Sequence, residues 1–425
     1  MRTKSSRLNL GFLTTTLTGL ALLSLGGGSA LAAKWTITDL GVLGAGNGDD
    51  TVAWSINNLG QVVGRGRVLI NTNSAARARV VMWANGVQVD LGQDASSSLT
   101  SAKINNAGLV AINDGNWQPR FWRAGVLAPL PMLAGGIYGG IHGLNSKGKI
   151  VGWSDSPIGG VSVIWQGGAV SSTGLPGGPD AWAVAINDLD ALAVSRAARG
   201  HLSYILAGGS TNYLNVAGMT SDGYTAVKDL NNAGHSCGVY NFNVSQSAGT
   251  HAFLWTGGLV TPLPEYPAGG SDAVAMNNLG HVVGYAQRAP YDAPAVLWRD
   301  GAMTSLNELP EVLAAGWSSI TARDINDQDQ ICGHGYHGGV LRAFLLSPVT
   351  APSPFSLTIA RSGTNVTVSF PTETGFNYQL QSAAALPATS WQNEGSPFPG
   401  TGGVLTTNLP LGPEPRKFFR LLLTE

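Results

Sequence analysis

Polar and apolar positions along this chain follow one phrase that returns seven times. A short apolar run ends at an Asn, a polar turn follows, and a small apolar pair bounded by Gly comes next. The fullest copies are Ile56-Asn57-Asn58-Leu59-Gly60-Gln61-Val62-Val63-Gly64 and Leu144-Asn145-Ser146-Lys147-Gly148-Lys149-Ile150-Val151-Gly152. The others centre on Asn105, Asn187, Asn231, Asn277 and Asn326. Successive copies lie 48, 40, 42, 44, 46 and 49 residues apart. A period near 45 without helical stripes predicts blades of a β-propeller, not a helical solenoid.

Each period divides into four strands. The first is small-sided and ends at the Asn, as in Ala273-Val274-Ala275-Met276. Asn-Asn-x-Gly or Asn-Asp-x-Asp then makes a tight turn, because Asx side chains bond their own backbone and Gly accepts positive φ. The second strand carries Val62-Val63-Gly64 and its equivalents. The third ends in an aromatic phrase such as Phe253-Leu254-Trp255 or Val296-Leu297-Trp298, and a Gly turn leads to the fourth. Trp83, Trp122, Trp165, Trp255 and Trp298 recur at one strand position and read as core between blades.

Strand arithmetic predicts closure. Repeat seven ends at Leu346-Ser347-Pro348-Val349 with no fourth strand, while an extra copy, Trp35-Thr36-Ile37-Thr38-Asp39-Leu40, stands ahead of repeat one. Pairing that strand into the last blade closes a ring of seven and removes the open edges. Cys237 and Cys332 lie six residues after their Asn, where other repeats have Val63, Ala111, Val151, Ala193 and Val283. They are therefore expected as small buried hydrophobes without a disulfide.

The two ends differ from the repeat. Residues 1–32 begin with Arg2, Lys4 and Arg7, continue through an uncharged run over 11–25 and reach Ala30-Leu31-Ala32, the layout of a secretory signal peptide. The run is too short and too interrupted for a dependable membrane span, so none is expected after its removal. The domains are then 33–349, a linker over 350–354 rich in Pro, and 355–425, whose alternating strands predict a small β-sandwich. The 425 residues carry 24 Lys and Arg against 25 Asp and Glu, and loss of the leader leaves 21 against 25. Nothing in that balance suggests a nucleic-acid partner.

With Ile-Asn-Asn-x-Gly-x-Val-Val-Gly and His251-Ala252-Phe253-Leu254-Trp255 in view, residues 35–349 resemble the HAF-type extracellular repeat family. Repeats two and four depart most, with Asn113 and Ser195 near the end of the second strand and Asp190 in place of the turn Gly. The tail, with Tyr378-Gln379-Leu380-Gln381-Ser382, Trp391 and Phe418-Phe419-Arg420-Leu421, resembles a C-terminal module found on exported proteins of bacteria such as Verrucomicrobia. These resemblances imply an exported repeat protein, secreted, at the cell surface or periplasmic. They carry over no catalytic residue.

Function is expected on the face that holds the second-to-third and fourth-to-first connections. The long or Gly-rich segments 44–50, 65–79, 177–180, 240–250, 269–272 and 285–294 all fall there. Trp153, Trp182, Tyr240, Phe242, Tyr285, Tyr291 and Tyr336 are the candidate ligand-binding residues, as flat apolar surfaces for a sugar or a protein; the alternative is packing at blade rims. Asp49, Asp50, Asp180 and Asp272 are weak calcium candidates, more in keeping with solvated turns because their spacing matches no calcium motif. His334 and His337 could hold a metal only with another donor, and His235 and His281 read as solvent-facing. No nucleophile elbow, zinc-helix motif or phosphate loop is present. The leading expectation is a monomeric, non-enzymatic binding protein for a glycan or cell-surface protein. A propeller enzyme acting on extracellular polysaccharide and a structural matrix component are the alternatives.

Overall fold

The computed structural model describes residues 34–42, 50–68, 77–94, 101–176, 180–196, 200–244, 249–267, 269–349, 357–373, 376–385, 388, 390–410 and 417–424. The leader expected over 1–32, the linker over 350–354 and Asp49 lie outside these residues. Two compact units emerge, one over Trp35–Pro348 and one holding Val349–Glu425.

The first unit is a seven-bladed β-propeller of four-stranded antiparallel sheets. Blade one contains Thr51–Ile56, Val62–Val68, Arg77–Ala84 and Val87–Asp94, and the next five repeat this order. Blade seven takes three strands from Trp317–Ile325, Ile331–His337 and Val340–Pro348, and its fourth is Trp35–Asp39. Trp35 faces Pro348 and Asp39 faces Phe344 in the closing register. Trp35 is buried, and its backbone N–H reaches Glu311 Oε1 at 3.4 Å, beside the short helix Pro310–Ala314. That helix was not anticipated from the strand pattern; its Val312 fills the core between blades six and seven.

Inter-blade packing follows the predicted positions. Val63, Ala111, Val151, Ala193, Cys237, Val283 and Cys332 are all fully buried, and both cysteines are free. Burial raises both thiols well above the ordinary cysteine value, as expected of inert core groups. Trp83, Trp165, Trp255 and Trp298 are buried, while Trp122 is half-buried. The Gly that ends Val-Val-Gly has a steric cause. A Cβ on Gly284 would lie 1.9 Å from the Asp272 carbonyl oxygen, and one on Gly64 would lie 2.0 Å from that of Val52.

The seven Asn residues do more than make turns. Each side-chain oxygen accepts backbone N–H groups of its own turn; Asn57, for instance, takes those of Leu59 and Gln61 at 3.0 Å. Each Nδ2 donates to the backbone carbonyl of the equivalent Asn in the next blade. The chain of bonds runs 57 to 105, 145, 187, 231, 277 and 326 and back to 57, at 2.9–3.1 Å throughout. Every one of these side chains is buried. A closed amide circle therefore locks one end of the ring, and a buried amide that lost its partner there would cost about 1–3 kcal/mol. At the fourth turn position Asp190 and Asp329 stand at φ 64° and 58° where other blades have Gly. Their carboxylates reach the preceding blade, Asp190 to Lys149 at 3.0 Å and Asp329 to His281 at 2.6 Å. His281 is thus an inter-blade partner, contrary to the expectation that it faces solvent.

The second unit is a small sandwich. Thr358–Ser362, Asn365–Pro371 and Val404–Pro410 form one sheet. Asn377–Ala383 pairs with Phe418–Thr424 and with the short strands Gln392–Asn393 and Phe398–Pro399 in the other. Val366, Val368 and Phe370 from the first sheet meet Tyr378, Leu380 and Leu421 from the second in one core.

Candidate functional site

The inner strands set the geometry of the channel. Six of them carry a β-bulge, which steps one residue out of register: Trp54, His142, Val184, Lys228, Val274 and Arg323. None of the six is fully buried, and Arg323 is exposed. Blade two has no bulge, and its short inner strand Ala102–Ile104 places Lys103 opposite Ala111.

Next to the bulges lie two carboxylates that sequence reading did not single out. Asp324 accepts Ser55 Oγ at 2.7 Å and the Ile56 N–H at 3.1 Å, both from blade one, and its other oxygen accepts the Ile325 N–H. Asp229 likewise accepts the Met276 N–H of the next blade at 2.9 Å and its own Leu230 N–H at 2.8 Å. Lys103 is within electrostatic reach of both. Burial works to lower its pKa, but Asp324 and then Asp229 outweigh burial and raise it. Burial raises the Asp229 pKa, with Lys103 opposing. On the turn side of this cluster a polar cavity of about 180 Å³ is lined by all seven blades, among them Asn57, Asn145, Asn231 and Asp229. Only the alignment of inner strands across the ring could have revealed this trio.

The opposite face is built differently. Eight residues after each ring Asn, at one height on the second strand, stand Arg65, Asn113, Trp153, Ser195, Val239, Tyr285 and His334. The register confirms their equivalence for the bulged blades: Arg65 faces Val52, Trp153 faces Gly140, Tyr285 faces Asp272 and Ser195 faces Trp182. Seven blades supply seven different residues.

Several of these are held in place by a neighbouring blade or loop. Tyr285 is 40% exposed, and its hydroxyl donates to Asp272 Oδ2 at 3.2 Å. Lys228 of blade five clamps the same carboxylate at 2.5 and 2.6 Å. Burial, then the Asp272 charge, raises the Tyr285 pKa. Trp153 packs edge-on against Trp117 with centroids 5.6 Å apart; Trp117 is 43% exposed and was missed in the sequence because it lies outside the repeated phrase. Asn113 exchanges two bonds with the Ile141 backbone of blade three, at 2.6 and 2.9 Å.

The remaining candidates separate clearly. Tyr291 is fully exposed at a turn with φ 64°, and Tyr336 is also exposed. Trp182 and Phe242 are half-buried. Tyr240 is buried, stacked on His251 at 5.4 Å and edge-on to Phe242 at 4.9 Å, so it is a packing residue and not an exposed platform. Of the aspartates, Asp50 pairs with Arg65 at 2.9 Å, Asp272 is held by Lys228, and Asp180 is exposed. Among the described residues no three His, Cys, Asp or Glu side chains converge to hold a metal. His337 instead pairs with Asp39 at 3.0 Å and stacks on Trp317.

His334 lies at the seam of blades seven and one. The inner strand of blade one packs on the second strand of blade seven, and Ala343, the register partner of His334, donates its N–H to Thr51 Oγ1 at 2.8 Å. Burial, followed by the charges of Arg323 and Arg65, pushes the His334 pKa down to about 4. The imidazole is therefore neutral at pH 7.

No family model matches this chain, and no curated protein does. Solved structures match its shape at low identity. They include an acylaminoacyl peptidase of Pyrococcus horikoshii (10% identity, TM-score 0.46, 77% of this chain and 58% of that one). The extracellular domain of a hybrid two component system from B. thetaiotaomicron matches at 10% identity and TM-score 0.45, over 91% of this chain and 57% of that one. The Dos1 propeller matches at 12% identity and TM-score 0.36, over 79% and 92%. The chain spans less than two thirds of the first two.

Proposed function

We propose that the protein binds a glycan on the face that carries the second-to-third connections, without chemical turnover. The observation that carries this reading is the ring of seven unlike residues, with exposed Tyr285 oriented by Asp272 and Lys228. Trp153 and Trp117 add a second aromatic surface at the same end. Flat aromatic faces stack on sugar rings, and charged or amide neighbours bond their hydroxyls. A rigid ring beneath lowers the ordering cost of binding.

The two inner-strand carboxylates support binding over catalysis. Both oxygens of Asp229 and of Asp324 already accept backbone N–H bonds, which suits a clasp between blades more than acid–base work. The leader-like segment and the HAF-type resemblance favour a protein outside the cytoplasm. Among the described residues no helix is long and apolar enough to cross a membrane.

A glycan array probed with the purified chain, with and without calcium, tests the proposal. Saturable binding is expected for wild type and loss of about tenfold or more in affinity for Trp153→Ala/Tyr285→Ala, at unchanged circular dichroism. Equal binding by that folded variant, or none by wild type, would refute the reading.

A further inference from the structure

The seam between blades seven and one carries side-chain nitrogens that the fold leaves unengaged. Arg323 steps out of the inner strand at a bulge, is exposed, and makes no ion pair or hydrogen bond among the described residues. The buried Nε of Arg65 has no hydrogen-bond partner, and neither has the buried Nδ1 of His334. Asp50 engages a different nitrogen of Arg65, the terminal Nη2, at 2.9 Å. Buried polar atoms without a partner are costly and uncommon, and each such group asks for an explanation. Elsewhere in the ring the equivalent polar groups are answered: Tyr285 by Asp272, and Asn113 by the Ile141 backbone.

Asp50 pairs with Arg65, and Asp324 turns to Ser55 and the Ile56 N–H of blade one, while Arg323 makes no ion pair among the described residues and His334 adds neutral hydrogen-bonding capacity. Two planar guanidinium groups, each within electrostatic reach of the neutral His334 imidazole, match the oxygens of a carboxylate or sulfate ester. Both Arg65 and His334 belong to the ring of unlike residues that also holds Tyr285 and Trp153.

We propose that Arg323, Arg65 and His334 form an oxyanion subsite, so that the glycan bound on this face is an acidic one bearing carboxylate or sulfate groups. This inference rests on the glycan-binding reading above. Arg323 supplies an unpaired positive charge, the Arg65 guanidinium orients the anion, and His334 contributes one neutral hydrogen bond. Screening by salt should weaken the acidic ligand selectively.

The test is calorimetric titration of the whole purified chain with a trigalacturonate, a sulfated galactan oligosaccharide and neutral galactotriose. Wild type should bind at least one acidic probe about tenfold more tightly than the neutral one, and the stronger arm identifies carboxylate or sulfate as the source. Arg323→Gln, on an exposed side chain, should bring acidic and neutral affinities within about twofold at an unchanged melting temperature. Arg323→Lys should recover only part of the preference, because the planar fork is lost. Equal acidic and neutral binding by wild type, or an acidic preference that survives in Arg323→Gln, would overturn the subsite. If neutral binding persists and still depends on Trp153 and Tyr285, glycan binding stands and the oxyanion inference alone falls. Absence of all glycan binding sinks both.

Discussion

The two ends of the propeller follow opposite rules. At the turn end seven blades present the same Asn, and seven equivalent amide bonds close a circle. Eight residues further along the same strands, seven blades present Arg, Asn, Trp, Ser, Val, Tyr and His. Repetition at the first level has a mechanical cause, since a closed ring needs every link to fit the next. Variety at the second level leaves seven different side chains at that end of the ring, and the proposed glycan site rests on them. A single feature repeated seven times suits the frame, and a feature that occurs once suits recognition.

Breaking a link should show the largest effect. Asn187→Ala removes its donor to Asn231 and leaves the N–H groups of Leu189 and Ala191 unanswered, so stability should fall by about 3 kcal/mol. Urea unfolding measures this, and a loss under about 1 kcal/mol would mean the circle is ornamental to the ring's stability. Glycan affinity at a temperature where the variant is folded should be unchanged, which separates frame from site.

A smaller effect is expected from pH. His334 has a folded pKa of about 4, below the ordinary histidine value, so the unfolded chain binds the proton more readily. The stability associated with neutral His334 is complete above about pH 6.5 and is lost as pH falls toward 4. With allowance for partial exposure this amounts to about 2 kcal/mol across that window. His334→Gln should flatten that part of the stability–pH curve. An identical slope in the variant would show that other groups govern the window.

Least disturbing to the fold is Tyr285→Phe. It removes only the hydroxyl bond to Asp272, which remains held by Lys228, and should shift stability by no more than about 0.5 kcal/mol. Glycan affinity should still drop, because the ring loses its fixed orientation. A fall in melting temperature comparable with that of Asn187→Ala would erase the contrast between the two ends.

Much of this was legible in the residues themselves. A Gly or Asp at a positive-φ turn, a buried Val or Cys six residues past the Asn, and a spare strand at Trp35 each follow from local chemistry or from counting. The aromatic candidates were legible as residues but not as exposures. Tyr240 and Tyr285 both end second strands, yet one is stacked under His251 and the other stands 40% open. Tyr240 stands nine residues after its Asn and Tyr285 eight, so alternation turns them to opposite faces of the second strand, and the packing on each face sets the exposure.

By itself, then, the chain determined its period, its strand order and the closure of its ring, because backbone geometry and alternation act over a few residues at a time. Tertiary structure alone decided that Asn side chains reach across blades, that Lys103 meets Asp229 and Asp324, and that Arg65, Arg323 and His334 share a seam. Those contacts join residues as much as 269 positions apart, as between Ser55 and Asp324. Their partners are chosen by the curvature of a closed ring, a property no single repeat contains.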